Sequence, residues 1–326
     1  MNYQIGGFMN KKVVVMGGGT GISYLLRGLK DFPVDITAVI TVSDNGRSTG
    51  KLREEFHIPA VGDIRKVITN LSGTDEAIKD MMSYRFKTSS DLDGHAVGNL
   101  ILTAMLDITG SLKESIAHLC KLLDVRHRVL PISEESDLTL MGLDKDGNII
   151  EGEEQITLAH RQFEKIFYKN EPEVLPEVLE AIKEADLIIF SMGSLYTSVL
   201  PNIICEEVKK AFNGAKAPIM YLSNIFTQPG ETDGFTVGDH VKLLDRYLDK
   251  KKVDVVIASN TKISEKMAKK YETEEQKDPV LIDYDELKKI GVELIEDDLI
   301  ILDDDHTLKH NSLKLSSLIF SYLMRK

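Results

Sequence analysis

The sequence predicts an α/β fold: a Rossmann-like three-layer αβα sandwich with a mostly parallel sheet, extended by a helical and β-hairpin insertion. Two observations lead to this prediction. Short runs of β-branched and aliphatic residues alternate with segments of helical periodicity near both ends of the chain, which is typical of βαβ units. The first run, residues 13–16, also leads directly into a glycine-rich turn and then a helix.

The first third of the chain contains two predicted strands and a series of helices. Residues 13–16 (VVVM) and 36–42 (ITAVITV) are apolar and rich in β-branched side chains, and residues 22–30 between them have helical spacing. More helices are predicted where apolar residues recur every three or four positions, at 61–71, 75–86, 98–108 and 112–123.

The middle of the chain predicts an antiparallel flap. From residue 126 the helical period gives way to short runs, and residues 144–148 (DKDGN) are typical of a hairpin turn. The runs lie at residues 129–130, 138–141 and 148–150. Together with the helices before it, this flap is expected to form an insertion over about residues 60–170 of a single domain spanning 11–326, preceded by a leader at residues 1–10.

The parallel pattern returns in the second half. Apolar runs alternate again with amphipathic helices, and Ala185-Asp186 and Val253-Asp254 lead directly into apolar runs, as in buried parallel strands. Strands are predicted at residues 187–191, 219–222, 253–258 and 294–302. Helices are predicted at 174–183, 203–212, 237–248 and from 312, with a solvated helix or loop at 261–277.

Composition excludes several classes of partner. The chain has 40 Lys and Arg against 52 Asp and Glu, a formal net charge of −12 at pH 7, which argues against nucleic acid or an anionic membrane surface. No apolar run reaches the roughly 18 residues that span a bilayer, and Cys120 and Cys205 lie in apolar helical patterns, as reduced core thiols do. We therefore expect a cytoplasmic protein without membrane insertion. Its protein partners and its oligomeric state, a homodimer included, stay open.

The glycine-rich turn predicts an anion site. Residues 17–21 (GGGTG) join the first strand to a helix, where free backbone N–H groups and the helix dipole favour a phosphate. The dinucleotide fingerprint would need a glycine at Ile22, and the P-loop would need one at Asn45, so neither motif matches. A purely structural tight turn is the alternative.

Polar residues after the second strand and at two helix starts are further candidates. Asp44 and Asn45 offer oxygens to a ribose, a base or a metal, and Ser48 offers a hydroxyl. Their alternative is an Asx turn. Asp63 and Asn99 lie at the starts of predicted helices, where capping or packing explains them equally well.

Two later strand ends carry similar chemistry. Residues 193–198 (GSLYTS) and 223–232 (SNIFTQPGET) bring glycines, hydroxyls and amides to the same edge of the predicted sheet. Asn224, Gln228 and Glu231 suit directed hydrogen bonds to a base or a sugar. Ser194 is a poor hydrolase nucleophile because the Gly-x-Ser-x-Gly elbow is absent.

The joint pattern resembles the YvcK-type gluconeogenesis factors of the CofD-like superfamily. The resemblance covers nearly the whole chain from Lys11, and it rests on residues 17–21, 43–50, 62–65, 94–99, 193–198 and 224–232. It implies a Rossmann-like fold, cytoplasmic location and binding of UDP-activated sugars such as UDP-N-acetylglucosamine. It also implies a role in cell shape and cell-wall synthesis during growth on gluconeogenic carbon sources.

The other branch of that superfamily implies a different activity. Its transferases place a phospholactyl-type group on a deazaflavin precursor, using a guanylylated donor and a magnesium ion. Where those enzymes carry paired aspartates, this chain has Asp44 and Asn45, which weakens a hard-cation site. Where the family often shows Arg-His-Asp, this chain has Lys309, His310 and Asn311, so a phosphate contact survives there only as a point charge.

We therefore predict a binding and regulatory protein whose site holds a UDP-sugar or another nucleotide diphosphate. We predict no cofactor and no metal site for a binding protein. The transferase alternative would require Mg²⁺. An NAD(P)-dependent oxidoreductase is a third alternative. The predicted ligand-binding residues are Gly17, Gly18, Gly19, Thr20, Gly21, Asp44, Asn45, Ser48, Asp63, Asn99, Gly193, Ser194, Leu195, Tyr196, Thr197, Asn224, Gln228 and Lys309.

Overall fold

A computed structural model describes residues 10–303 and 306–325. The expected leader at residues 1–10 falls almost entirely outside this part of the chain. Within it, the strands are β1 Lys11–Gly17, β2 Val34–Ile40, β3 Arg128–Pro131, β4 Leu140–Asp144, β5 Ile149–Glu151, β6 Phe163–Tyr168, β7 Leu187–Phe190, β8 Ile219–Leu222, β9 Val255–Ser259, β10 Glu293–Asp297, β11 Ile300–Leu302 and β12 Leu308–His310.

The helices follow the same chain order. They are α1 Gly19–Leu29, α2 Arg47–Phe56, α3 Gly62–Leu71, α4 Glu76–Ser83, α5 Val97–Thr109, α6 Leu112–Leu122, α7 Glu153–Leu158, α8 Pro176–Glu184, α9 Glu206–Gly214, α10 Val237–Tyr247, α11 Glu265–Glu275, α12 Tyr284–Ile290 and α13 Ser312–Met324. A π-helical turn, Leu195–Val199, and a 3-10 turn, Leu200–Asn202, precede α9.

A parallel sheet forms the centre of the fold. In the described chain its seven strands run in the order β3-β2-β1-β7-β8-β9-β10, and every neighbouring pair is parallel. The order reverses between β1 and β7, which places a crevice at the carboxyl ends of these two strands. The predicted α/β Rossmann-like fold is thereby confirmed.

Burial explains why these runs become central strands. All four residues of β7 and all four of β8 are buried, and the apolar centre of β1 is covered on both sides. Fully covered parallel strands read as continuous apolar runs, as these do. Helix α1 packs against α3 and α13, while α8 packs against α9, so that helices flank the sheet.

The structure corrects the predicted flap. Residues 129–130 lie in β3, which pairs in parallel with β2 at the edge of the central sheet. The antiparallel part consists instead of β5-β4-β6, and β6 was not predicted. A short apolar run such as that of β3 does not show from its sequence which strand it pairs with, because tertiary packing selects the partner.

Three other segments differ from prediction. The polar stretch after β2 forms helix α2, a second short helix, α7, follows β5, and the last predicted strand is divided into β10 and the β11–β12 hairpin. No helix in residues 10–303 and 306–325 is long and apolar enough to cross a bilayer. Both cysteines, Cys120 and Cys205, are buried free thiols, as expected.

Candidate functional site

The glycine loop at the end of β1 serves two purposes. A Cβ at Gly17, Gly18 or Gly21 would come within 3.0 Å of atoms in neighbouring loops, so these glycines permit close packing. Gly19 has φ +65°, and a Cβ there would meet nothing closer than 3.8 Å; Thr20 beside it is exposed. Gly19 and Thr20 are therefore the part of the loop that opens into the crevice.

A carboxylate already occupies the amino end of α1. Asp63, in the first turn of α3, accepts a hydrogen bond from the Gly19 N–H through Oδ2. Its Oδ1 pairs with Lys66 Nζ at 2.9 Å. The start of α1 therefore already binds an anionic group of the protein itself, the Asp63 carboxylate. This is expected where free N–H groups and the helix dipole coincide.

The loop after β7 is tied to the end of β8. Asn224 accepts a hydrogen bond from the Gly193 N–H at 3.0 Å and donates through Nδ2 to the Gly193 carbonyl at 2.9 Å. Ser194 Oγ donates to Glu231 Oε2 at 2.6 Å and accepts from the Thr197 N–H at 3.1 Å. These bonds fix the backbone of the loop at the reversal of strand order.

Two predicted ligand residues are directed away from the crevice. Leu195 and Tyr196, in the π-helical turn, are 0% and 1% exposed. The Tyr196 ring meets Phe163 edge-on at 5.6 Å, and its hydroxyl accepts a hydrogen bond from the Phe163 N–H at 3.4 Å. They anchor the antiparallel insertion to the end of β7.

Helix α7 lies across the strand ends. Asn45, after β2, accepts a hydrogen bond from the Glu154 N–H at 2.9 Å, which fixes the start of the helix. On the other side, Gly230 has φ +78° and packs directly against the backbone of His160. The insertion therefore spans the loops of β2 and β8 and brings Glu153 between them.

Glu153 joins a group of acidic residues. Burial and the charge of Asp44 raise the pKa of Glu153 to about 7, and burial alone raises the pKa of Glu231 to about 7. Burial and the charge of Asp63 raise the pKa of Asp44, although Asp44 accepts the Gly46 N–H of the expected Asx turn at 2.9 Å. Carboxyls with such shifts in a crevice are candidates for proton transfer.

Ser48 and Asn99 belong to a buried hydrogen-bond network. Ser48 Oγ is 3.0 Å from His95 Nδ1 and accepts from Asn99 Nδ2 at 3.3 Å. Asn99 Oδ1 in turn accepts from Arg65 Nε at 3.2 Å, and Arg65 is only 5% exposed. These predicted residues thus hold an arginine in place at the side of the crevice beyond β2.

On the opposite side, a cavity of about 570 Å³ opens at the ends of β8 and β9. Apolar side chains such as Val237 and Val280 form part of its wall. Its polar lining includes Asn224, Ser259, Asn260, Thr261, Lys262 and Tyr284. A mostly apolar wall with a few polar groups is usual for a small-molecule site.

The remaining two predicted residues contribute less directly. Gln228 forms a turn through its backbone, and its N–H donates to Thr232 Oγ1 at 2.8 Å. Lys309 lies in the β11–β12 hairpin, where its ammonium pairs with Asp303. Its neighbour His310 faces the sheet instead and lies 3.1 Å from the Ser223 carbonyl through Nε2.

Sequence reasoning missed Glu153, Arg65 and the segment 259–263. Arg65 had a signal, because it follows Ile64 by one residue on the buried face of α3, where a charge is unusual. Glu153 had no such signal in the sequence, because only the folding of the insertion brings it to the crevice. Among the described residues, no group of three or more His, Cys, Asp or Glu is arranged to hold a metal ion.

Comparison with known proteins agrees with this geometry. The family model for 2-phospho-L-lactate transferase CofD matches residues 13–300. The chain belongs to the CofD family. The gluconeogenesis factor of Bacillus subtilis is 41% identical over 313 residues, covering 96% of this chain and 98% of that protein. The gluconeogenesis factor of Halalkalibacterium halodurans is 42% identical over 310 residues, 95% of each chain.

A solved structure supports the same placement within the CofD family. The crystal structure of a protein from Bacillus halodurans superposes with a TM-score of 0.92 at 41% identity, covering 96% of this chain and all of that one. The predicted resemblance to YvcK-type gluconeogenesis factors is thus confirmed, and this chain lies in that branch of the family.

Proposed function

We propose that the chain is a cytoplasmic regulatory protein that binds a UDP-activated sugar, of which UDP-N-acetylglucosamine is the first candidate. The observation that carries the proposal is the cavity of about 570 Å³ at the ends of β8 and β9, on the β7 side of the crevice at the reversal of strand order. Such crevices are where open α/β sheets bind nucleotides. Membership among the gluconeogenesis factors supports the further proposal that binding serves cell shape and cell-wall synthesis on gluconeogenic carbon sources, through protein partners or a homodimer.

The diphosphate is proposed to lie between the two loops at the reversal. Thr20 is exposed at the start of α1, and Gly193 faces it from the end of β7. The Gly19 N–H, which now donates to Asp63 Oδ2, and the Gly193 N–H, which now donates to Asn224 Oδ1, would exchange these acceptors for phosphate oxygens. A Cβ at Gly193 would lie 3.8 Å from the Gly18 carbonyl oxygen, so the two loops are in contact. Backbone donors at such a junction bind an anion without basic side chains, which agrees with the net charge of −12.

The nucleoside is proposed to enter the cavity next to Asn224. The amide of Asn260 lines its polar side together with the hydroxyls of Ser259 and Thr261, which are 2.8 Å apart and hydrogen-bonded to each other. The amide is therefore the group that would match the donor and acceptor edge of uracil. The apolar wall would cover the face of the base. The proposed ligand thus extends from Thr20 across Gly193 into the cavity.

Calorimetric titration of the protein with UDP-N-acetylglucosamine, UDP-glucose, GDP and NADH tests the proposal. The two UDP-sugars are expected to bind, and GDP and NADH to bind more weakly or not at all. Tight GDP binding with Mg²⁺ and no heat from either UDP-sugar would contradict the proposal. A response to NADH alone would favour the oxidoreductase alternative.

Reversing one charge at the rim of the cavity should weaken binding. Lys262 is exposed and lines the cavity, so Lys262→Glu places a negative charge beside an anionic ligand. We expect about fivefold weaker binding of UDP-N-acetylglucosamine at low salt, with a smaller effect at high salt because the charges are screened. Lys266→Glu, exposed on α11 and away from the cavity, is the matched control. Equal affinities for the two variants would place the ligand elsewhere.

Transfer chemistry is a second candidate, favoured by the pair of Ser194 and Glu231. The hydroxyl is 2.6 Å from a carboxyl whose pKa burial raises to about 7, which suits a group that accepts a proton near neutral pH. Asp44 and Asp63 would hold the magnesium ion of such a reaction together with substrate phosphates, because Mg²⁺ needs only one or two protein carboxylates there. The ion would neutralise phosphate charge.

Consumption of the donor separates transfer from binding. The protein is incubated with UDP-N-acetylglucosamine or a guanylylated donor, with and without Mg²⁺ and with a deazaflavin acceptor, and both the released nucleotide and the modified acceptor are followed. Formation of modified acceptor with release of nucleotide that requires Mg²⁺ and is lost in Glu231→Gln would establish transfer. Binding with no release in any arm is the result that the regulatory proposal predicts.

A further inference from the structure

A second cavity, of about 330 Å³, lies on the other side of Asp44 from the glycine loop. It is open to solvent between the starts of α2, α3 and α5, close to α7, and its volume is near the lower end for small-molecule sites. Its lining is rich in cations and includes Arg47, Ser48, Arg65, Lys66, Arg85 and Asn99. The diphosphate and nucleoside contacts proposed above use none of this lining, although Asp44, Ser48 and Asn99 were predicted from the sequence to bind the same ligand.

Arg65 is a buried charge without an acidic partner. It is 5% exposed, and its guanidinium donates to neutral groups, to Asn99 Oδ1 at 3.2 Å and Ser83 Oγ at 3.4 Å. No carboxylate in the described chain forms an ion pair with it within 4.0 Å, although the charge of Asp63 acts on it from farther away and opposes the lowering of its pKa. Among the described residues none accepts a hydrogen bond from Nη2. Because the side chain lines a cavity that is open to solvent, its remaining N–H groups can donate to water or to an anion from outside the chain.

The surroundings add positive potential. Burial and the nearby charge of Arg85 lower the pKa of Arg65 to about 10, so the two guanidinium groups repel each other. Arg85 is exposed and its Nη1 is held by the Gly94 carbonyl at 2.7 Å. Helices α2 and α3, of 10 residues each, begin at this cavity with Arg47 and Gly62, and their dipoles point their positive ends into it.

The network behind Arg65 fixes the orientation of its guanidinium. Asn99 is 1% exposed and is fixed by Ser48, which is fixed in turn by His95. A guanidinium that is immobilised in this way has less entropy to lose when it binds an anion, and its planar fork suits phosphate oxygens.

Carboxylates line the rest of the cavity. Asp44, Glu153 and Glu154 contribute to its wall. They would repel an anion that filled the whole space, but they accept hydrogen bonds from hydroxyl groups. The cavity therefore combines one end for an anion with another for hydroxyl donors.

We propose that this cavity binds a small phosphate monoester of a polyol or sugar, with the phosphate held by Arg65 and Arg85 and the hydroxyls by the acidic wall. This site is separate from the one proposed for the nucleotide diphosphate at Gly19 and Gly193. It gives the protein two ligands in neighbouring parts of one crevice, so that a phosphorylated metabolite has a binding site beside the nucleotide sugar.

Titration with glucose 6-phosphate as the probe tests this site, with glucose and inorganic phosphate alongside. We expect glucose 6-phosphate to bind the unmodified protein, inorganic phosphate to bind more weakly, and glucose to give no heat. Arg85→Ala changes an exposed side chain and should weaken binding about tenfold, as loss of a charged hydrogen bond does. Arg65→Lys, which keeps the charge but loses the fork, should weaken it as well. Arg126→Ala, another exposed arginine outside this cavity, should bind normally.

Absence of glucose 6-phosphate binding, or equal binding by Arg85→Ala and the unmodified protein, would overturn the proposal. Repeating the titration with saturating UDP separates the two sites. Unchanged affinity supports a distinct phosphate site, whereas loss of binding would show that the phosphate competes for the nucleotide's own site. The titration without UDP measures glucose 6-phosphate binding whether or not UDP-sugars bind. Failure of the proposed function can therefore be distinguished from failure of this site.

Discussion

Replacing Gly21 by alanine is expected to lower the free energy of unfolding by more than about 3 kcal/mol, or to prevent folding. A Cβ at this position would overlap the carbonyl oxygen of Met192 and lie 3.3 Å from the amide nitrogen of Gly193. Both are backbone atoms in the loop after β7, so no side-chain rotation relieves the overlap. Helix α1 must therefore move away from the end of β7, which also separates the two loops proposed to hold the diphosphate.

Gly214→Ala is the matched control for this substitution. Gly214 is the last residue of α9, and a Cβ there would meet nothing within 4 Å. Because alanine is the better helix former, the control should be neutral or more stable by up to about 1 kcal/mol. Urea unfolding of both variants measures the difference. Equal stabilities would mean that α1 does not pack against β7 as described.

Replacing Glu231 by glutamine is expected to remove a pH-dependent loss of stability. Burial raises the pKa of this carboxyl to about 7 from an ordinary value of 4.5, so between these values the folded protein binds more protons than the unfolded chain. The stabilising contribution is present below the unfolded pKa and is lost as the pH rises through 7. Glutamine has no such loss and can still accept the hydrogen bond of Ser194.

The expected result is a difference between Glu231→Gln and the unmodified protein that grows by roughly 3 kcal/mol from pH 5 to pH 8. Absolute stabilities are less informative, because burial lowers the pKa of His240 and His310 to about 4 and gives the opposite slope. Both histidines are present in both proteins, so the difference isolates Glu231. Glu207→Gln, at an exposed position on α9, should show no change with pH. If the difference in the free energy of unfolding between Glu231→Gln and the unmodified protein did not change with pH, the Glu231 carboxyl would not be buried as described.

Most of the central sheet could be predicted because each strand carries its own signal. The apolar runs of β1, β7 and β8 are continuous, and covered parallel strands require this. β3 carried a signal as well, but a run of four residues does not determine its partner, and pairing with β2 depends on distant packing. Helix α2 was not predicted, because its residues are mostly polar and its first turn resembles a loop at the end of β2.

The candidate site could be predicted where glycines and polar residues directly follow a strand in the sequence. The glycine loop and Gly193 meet because parallel strands end at one edge of the sheet. Glu153 depends instead on an insertion more than a hundred residues after β2, which Asn45 fixes across the crevice. Asn224 and Tyr196 were predicted to bind a ligand, and in the structure their polar groups form hydrogen bonds within the protein. Sequence alone does not distinguish a polar group that binds a ligand from one that holds a loop of the protein in position.

A crystal structure of the protein with UDP-N-acetylglucosamine tests the central claim most directly. We expect the diphosphate within hydrogen-bond reach of the backbone at Gly19, Thr20 and Gly193, and the uracil in the cavity lined by Asn224 and Asn260. Density for the nucleotide away from the reversal between β1 and β7, or an empty crevice at saturating ligand, would contradict it.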